Sequence, residues 1–168
     1  MAKLNKHQLS RVIIYTLSLA AVSVIVHEAA HILAALIKGV PFSSLKLGFW
    51  GINPSITLPP WIDESAKIVI FYAGGLTTGV LLLIGYLYWV QAFHKNPSLG
   101  CWIMGLTTIL LASEQLATGY LEGRYHAAYI ASATSLLSPA DMWTICWMIV
   151  ALLLHFALCP WSKMKTVM

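Results

Sequence analysis

The sequence predicts an all-α membrane protein with about four transmembrane helices and a short β-hairpin at the membrane surface after the first of them. Two observations lead to this fold class. Hydrophobic residues make up 59% of the 168-residue chain and charged residues only 10%, whereas a soluble domain carries about 25% charged residues. The apolar residues also fall into four runs, each close to the roughly 20 residues that cross a bilayer. No linker-like stretch divides the chain, so we expect one integral-membrane domain over residues 1–168.

The four runs give the predicted spans, which cover about residues 9–37, 67–93, 99–121 and 142–159. The first run follows a basic flank, as in a signal peptide, but it exceeds the about 7–15 apolar residues of a signal sequence. We therefore interpret it as a retained span. The stretch Gly123–Ala140 is expected to hold a short interfacial helix. Ser138-Pro139 is expected to begin the next element, and Asp141 is its candidate N-cap.

The connection between the first two spans, Val40–Trp61, does not have a helical pattern. Apolar and polar residues alternate in part over Ser44–Phe49, which indicates a strand. Asn53-Pro54-Ser55 is a turn signal, and Ser55–Leu58 can return as a second strand. These features predict a β-hairpin over about residues 44–58.

The formal net charge of +4 raises the question of nucleic-acid binding. The basic residues do not form a patch, however. They lie beside the apolar runs, as membrane-flanking charges do: Lys3, Lys6 and Arg11 precede the first run, and Lys163 and Lys165 follow the last. No base-reading motif accompanies them, so we expect no nucleic-acid partner.

Three ionisable side chains, His27, Glu28 and His31, interrupt the first apolar run. Positions four apart share a helical face, so the two histidines can bind one Zn²⁺. Glu28 is then held beside the metal, where it can take a proton from a water that the metal activates. An ionisable residue within a span costs about 2.5–3.5 kcal/mol on insertion scales, which favours a function over a chance match.

A catalytic zinc needs a third protein ligand and one open position. The end of the third span offers Glu114, Glu122 and His126. We favour Glu122 as the ligand, because a helix can loosen at Gly123 and let the carboxylate point inward. His126, four residues later, is the alternative ligand. Glu114 lies two turns earlier and is expected to be a hydrogen-bond partner of a ligating histidine.

The second span contains Gly75 and Gly79 in a GxxxG spacing, which permits close packing against the first or third helix. Thr77 and Thr78 are candidates for hydrogen bonds to a substrate backbone. His155, in the fourth span, is expected to be packed or hydrogen-bonded rather than a ligand.

The stretch "HEAAHILAALIKGVPFSSLKLGFWG" resembles the start of the core of the site-2 proteases, which are intramembrane zinc metalloproteases. In that family the HExxH helix ends in Gly-Val and a surface β-segment follows. The next core helix carries a Gly-Pro…Asn motif, in whose place this chain has Ala73–Thr78. The third ends in Leu-Asp-Gly, whose Asp is the third zinc ligand, and Leu121-Glu122-Gly123 stands there. The family's usual Asn, eight positions earlier, falls on Glu114. The resemblance covers roughly residues 20–125.

Together, the motif and the resemblance predict a zinc metalloendopeptidase with one Zn²⁺ per chain. Its substrates would be transmembrane proteins or peptides in the lipid bilayer. Bare amides are not tolerated in lipid, so such an enzyme must give an unwound substrate new hydrogen-bond partners. Strand addition to the hairpin would supply them, and the candidate edge is Lys46, Leu47, Gly48 and Phe49. We expect a multi-pass protein of a prokaryotic cell membrane.

Three alternatives stay open on the sequence. The chain can be a non-catalytic membrane protein that binds transmembrane helices with a degenerate protease core. A metal transporter would need ligands along several spans, whereas the fourth span offers only His155. A CAAX-type prenyl protease also uses HExxH but needs more spans. Because four spans form a small bundle, a homodimer or a partner subunit is expected to be a further means of enclosing the zinc site.

Overall fold

The computed structural model describes residues 5–50, 53–93, 95, 97–132 and 138–160. Within these ranges the chain forms four long helices and one two-stranded antiparallel sheet. In chain order they are α1 (Lys6–Ile37), β1 (Lys46–Trp50), β2 (Asn53–Thr57), α2 (Glu64–Phe93), α3 (Leu99–Ser132) and α4 (Pro139–Leu158). Each helix is long and apolar enough to cross a membrane. The predicted all-α membrane fold with a hairpin after the first helix is confirmed.

The end of α1 directs the chain into the hairpin. Gly39 has a φ of 80°, a left-handed conformation that glycine adopts without steric cost. The amides of Gly39 and Val40 donate to the carbonyls of Leu36 and Ala35, each at 3.0 Å, which satisfies the last turn of the helix. Val40 is then buried in a small apolar cluster with Ala35 and with residues from the start of α2.

The hairpin is anchored through β2, whose Ile56 packs against this apolar cluster. The strand register pairs Lys46 with Thr57 and Trp50 with Asn53. Asn53 and Pro54 are therefore strand residues, and the prediction of a turn at Asn53-Pro54-Ser55 is wrong. The turn signal placed the reversal too late, because Pro is tolerated in a strand whose amide need not join the ladder.

The N-terminus of α2 is capped by Asp63, the residue that precedes the helix. Its Oδ1 accepts hydrogen bonds from the Ser65 hydroxyl at 2.6 Å and from the Ala66 amide at 2.8 Å. These bonds stabilise the ionised carboxylate and lower the pKa of Asp63.

The helices α2 and α3 cross in close contact at two glycines. A Cβ on Gly75 would lie 2.4 Å from the Cα of Gly119, so the two backbones touch. A Cβ on Gly79 would lie 2.6 Å from the Cγ of Leu116. The close packing predicted from the GxxxG spacing is confirmed, and its partner is the third helix.

The third helix is longer than predicted: it continues past residue 121 and ends at Ser132. Its backbone departs from helical geometry at Tyr125, where φ is −132° and ψ is 31°. The predicted separate interfacial helix within Gly123–Ala140 is thus, over the described residues, a kinked continuation of α3. The kink changes the faces that residues before and after it present.

The fourth helix begins at Pro139 with Ser138 as its N-cap. The Ser138 hydroxyl accepts from the Asp141 amide, and the Asp141 carboxylate accepts from the Ser138 amide. Asp141 is therefore the third helical residue, and its prediction as the N-cap is wrong. His155 is fully buried, with its Nδ1 2.9 Å from the Tyr86 hydroxyl, so the prediction of a packed, hydrogen-bonded histidine is confirmed.

Candidate metal centre

Two buried imidazoles lie one turn apart on α1. His27 and His31 have ring centroids separated by 4.7 Å, and both residues are almost inaccessible to solvent. The four-residue spacing places them on the same helical face, as predicted. This face is turned toward α2 and α3, whose residues supply the contacts to the two rings that are described below.

A carboxylate from α3 reaches both rings. The Oε2 of Glu122 lies 3.3 Å from the Nε2 of His27 and 3.7 Å from the Nε2 of His31. The potential ligand atoms of the three residues all lie within 4.8 Å of one another. Zinc bonds of about 2.0–2.1 Å at tetrahedral angles hold ligand atoms about 3.3 Å apart. The two distances from the Glu122 carboxylate to the imidazoles, 3.3 and 3.7 Å, are therefore close to those between ligands of one tetrahedral ion.

The His31 ring is oriented by a backbone carbonyl. Its Nδ1 lies 2.7 Å from the carbonyl oxygen of Ile70 in α2. A carbonyl only accepts hydrogen bonds, so Nδ1 carries the proton and Nε2 of the neutral ring keeps its lone pair. This is the tautomer that a metal ligand requires, and it points its free nitrogen at Glu122.

The His27 ring is oriented by a chain of two side chains from α3. Its Nδ1 lies 2.8 Å from Oε1 of Gln115, and Nε2 of Gln115 donates to Oε2 of Glu114 at 2.8 Å. Because a carboxylate only accepts, the Gln115 amide must turn its nitrogen to Glu114 and its oxygen to His27. The proton of His27 thus sits on Nδ1, and Nε2 again keeps its lone pair.

The predicted role of Glu114 is corrected by this geometry. Among the described residues Glu114 forms no hydrogen bond with a histidine; it accepts from Gln115, and its Oε1 also accepts from Thr118 at 3.2 Å. Gln115 is the direct partner of His27. The sequence carried a signal for it, since Gln115 lies seven residues, or two helical turns, before Glu122 and so shares its face of α3.

Room beside the two Nε2 atoms depends on the absence of a side chain at Gly74. A Cβ on this residue would lie 2.3 Å from Nε2 of His31 and 2.7 Å from Nε2 of His27. The sequence analysis assigned Gly74 no role. With a glycine there, α2 approaches the histidines closely and leaves the space next to their lone pairs open.

Glu28 is half-buried on α1 and follows the first histidine. Its Oε2 is buried and has no hydrogen-bond partner among the described residues. The Oε2 of Glu122 likewise accepts no hydrogen bond within the described part of the chain. The site therefore combines two imidazole lone pairs with two carboxylates that have unused acceptor capacity, a donor set typical of a divalent cation site.

His126, the alternative ligand, lies apart from this group. Its ring stacks on Phe71, with centroids 3.6 Å apart and an interplanar angle of 8°. The cluster of possible ligand atoms in the described residues contains Glu122 and not His126. The reason is the kink at Tyr125, which lies between the two residues and breaks the shared helical face.

The predicted substrate-contacting residues lie on two elements. Lys46, Leu47, Gly48 and Phe49 are exposed along β1. Thr77 is exposed in an apolar groove of about 390 Å³ between α1 and α2, which Ala30 also lines. Thr78 is buried, and its hydroxyl has no hydrogen-bond partner in the ranges that the structure describes.

Comparisons of the chain with protein-family models, with curated proteins and with solved structures found no match. What the chain does must therefore be inferred from these side chains and their geometry.

Proposed function

We propose that the chain is an intramembrane zinc metalloprotease of the site-2 protease type, which hydrolyses peptide bonds of membrane-embedded proteins or peptides. One observation carries the proposal. Three potential ligands converge from two helices, and the lone pairs of both histidines point at the carboxylate of Glu122. The nearer nitrogen, Nε2 of His27, lies 3.3 Å from Oε2 of that carboxylate. We also propose that it is a protein of a prokaryotic cell membrane.

His27, His31 and Glu122 would hold one Zn²⁺. Two histidines and one carboxylate leave the fourth tetrahedral position open, which distinguishes catalytic from structural zinc sites. When bound, the ion supplies Lewis-acid polarisation of a carbonyl and makes water acidic enough to ionise near neutral pH. The hydrogen bonds that the two rings donate to the side-chain oxygen of Gln115 and to the carbonyl of Ile70 keep both imidazoles in the ligating tautomer.

Glu28 is the proposed general base. It follows His27 directly on α1, and its buried Oε2 is free of competing hydrogen bonds from the described residues. The carboxylate takes a proton from the attacking water and delivers it to the leaving amine. The water oxygen bonds to the carbonyl carbon first, and the C–N bond then breaks as the amine nitrogen takes the proton from Glu28, so one water is consumed for each peptide bond that is cut.

Substrate binding falls to β1 and to the groove beside Thr77. Strand β2 packs on the helices through Ile56, whereas the residues Lys46–Phe49 of β1 are exposed, so β1 is suited to accept an extended peptide. Main-chain hydrogen bonds to β1 would replace those that the substrate loses when it unwinds. The Thr77 hydroxyl offers one further polar contact in an otherwise apolar groove.

The proposal is tested by metal content and by cleavage. Detergent-purified wild type should hold about one zinc per chain, His27→Ala should lose it, and Glu122→Ala should hold it weakly. Glu28→Gln should retain zinc and lose cleavage of a membrane-embedded substrate. Zinc-free wild type after zinc is supplied, or full cleavage by Glu28→Gln, would refute the mechanism.

A non-catalytic helix-binding protein is the second candidate, and one observation favours it. The 3.3 Å contact between Nε2 of His27 and Oε2 of Glu122 is also the contact of an ion pair formed by a protonated histidine. In that case the wild type would bind a transmembrane peptide without zinc. Glu28→Gln would then leave the size and the binding of that peptide unchanged.

A further inference from the structure

A second cleft lies between the N-terminal parts of α1 and α3, away from the candidate metal centre. Its volume is about 590 Å³, within the range of small-molecule sites. Val12, Ile14 and Met104 give it an apolar wall. One turn beyond Met104, the hydroxyls of Tyr15 and Thr108 meet at 2.6 Å and join the two helices. The cleft is therefore open at the end where α1 and α3 begin.

Arg11 lines this cleft with an exposed side chain and has no ion-pair partner among the described residues. The same end of the bundle carries Lys6, at the start of α1, and Lys95, between α2 and α3. Gln8 and Ser98 add polar groups to the lining. The lining of the cleft thus carries the positive charge of Arg11, and two further cations lie at the same end of the bundle.

The described carboxylates lie elsewhere. Asp63 and Glu64 are at the other end of the bundle, where α2 begins. The C-terminal end of α4 lies near the start of α3, because the Cys159 carbonyl accepts from Trp102, so Asp141, at the N-terminal end of α4, is far from the cleft. The remaining carboxylates belong to the candidate metal centre. Nothing acidic in the described ranges therefore neutralises Arg11.

We propose that this cleft binds one anionic phospholipid, with an acyl chain against the apolar wall and the phosphate on Arg11. A guanidinium fork matches phosphate oxygens in a bidentate manner. Basic residues beside clefts between transmembrane helices bind anionic headgroups, and a zwitterionic lipid would bring an ammonium group close to the guanidinium of Arg11. The inference is independent of the proposed protease activity, since it uses none of the residues of that site.

The test is native mass spectrometry of the full-length protein, delipidated in a neutral detergent and titrated with phosphatidylglycerol or phosphatidylcholine of identical acyl chains. Wild type should retain one phosphatidylglycerol in preference to phosphatidylcholine. Arg11→Gln should weaken this retention about fivefold, the effect of one basic residue near an anionic surface. Lys38→Gln is the matched control, because it removes an exposed cation at the other end of α1 and should leave retention unchanged.

Met104→Trp fills the cleft without a change of charge and should reduce the retention of both lipids. Millimolar inorganic phosphate should not displace the lipid, because it makes no contact with the apolar wall. Equal retention of the two lipids, or equal losses in Arg11→Gln and Lys38→Gln, would overturn the proposal. A dimer that Met104→Trp dissociates would overturn it as well, since the cleft would then be a subunit interface.

Discussion

The substitution Gly74→Ala probes the candidate metal centre without touching a ligand. The new Cβ would lie 2.3 Å from Nε2 of His31, whereas ordinary contacts begin at 3.4 Å. The ring must therefore retreat by about 1 Å, a shift several times larger than the about 0.2 Å tolerance of metal–ligand distances. Nε2 of His27, at 2.7 Å, is crowded as well. The added methyl group also fills space next to both lone pairs.

The expected loss of zinc affinity follows from this displacement. Disturbing groups that only orient metal ligands typically costs about 10–100-fold in affinity, and a moved ligand belongs at the upper end of that range. We expect Gly74→Ala to bind zinc about 100-fold more weakly than wild type, or about 2.7 kcal/mol. Competition with a chromogenic chelator on the detergent-purified protein measures this difference directly.

Gly85→Ala is the matched control on the same helix. A Cβ at Gly85 meets nothing within 4 Å, so this change should leave zinc affinity intact and stabilise the helix by about 0.5–1 kcal/mol. Gly74→Ala gains the same helix propensity but incurs an overpacking cost of about 1–3 kcal/mol. Wild-type zinc affinity in a folded Gly74→Ala protein would refute the proposed position of the ion.

Three further predictions concern the supports of the site and of the helices. Gln115→Leu removes the acceptor that fixes the first histidine, and should weaken zinc binding about 10–100-fold in the same competition assay; unchanged affinity would contradict the orienting role. Tyr86→Phe removes the hydrogen bond to buried His155 and should lower the free energy of unfolding by about 1 kcal/mol in denaturant titrations, whereas Tyr88→Phe, at an exposed position, should have no effect. Asp63→Ala should lower the unfolding temperature at neutral pH. Because the folded-state pKa of Asp63 is lowered, its stabilisation of the fold is fully present above the unfolded pKa of about 3.9 and disappears as pH falls through the folded pKa. A difference in unfolding temperature between wild type and variant that persists in strong acid would contradict this assignment.

Sequence reasoning succeeded where the relevant contacts are local. The spacing of His27 and His31 determines their common face, because any α-helix brings residues four apart together. The start of α4 was also predicted from local features of the sequence. Only the cap was assigned wrongly, because the capping box makes Ser138 the N-cap and places Asp141 at the third helical position.

The choice between Glu122 and His126 could not be made from spacing. Both lie near the end of the third span, and a straight helix would place them on one face. The non-helical backbone at Tyr125 separates them, so that Glu122 meets the histidines while His126 stacks on Phe71. A single backbone departure of this kind leaves no periodic mark in the sequence.

The sequence by itself determined the membrane class, the four helices that are long and apolar enough to cross a membrane, the hairpin and the one-turn pair of histidines. The helices and the histidine pair follow from apolar run length and helical periodicity, and the hairpin follows from the alternation of apolar and polar residues. Only the tertiary structure decided which groups orient those histidines. His31 contacts a carbonyl 39 residues away and His27 an amide 88 residues away. Such contacts depend on which faces of separate helices meet, and the glycine crossing of α2 and α3 fixes those faces through packing that no local pattern specifies.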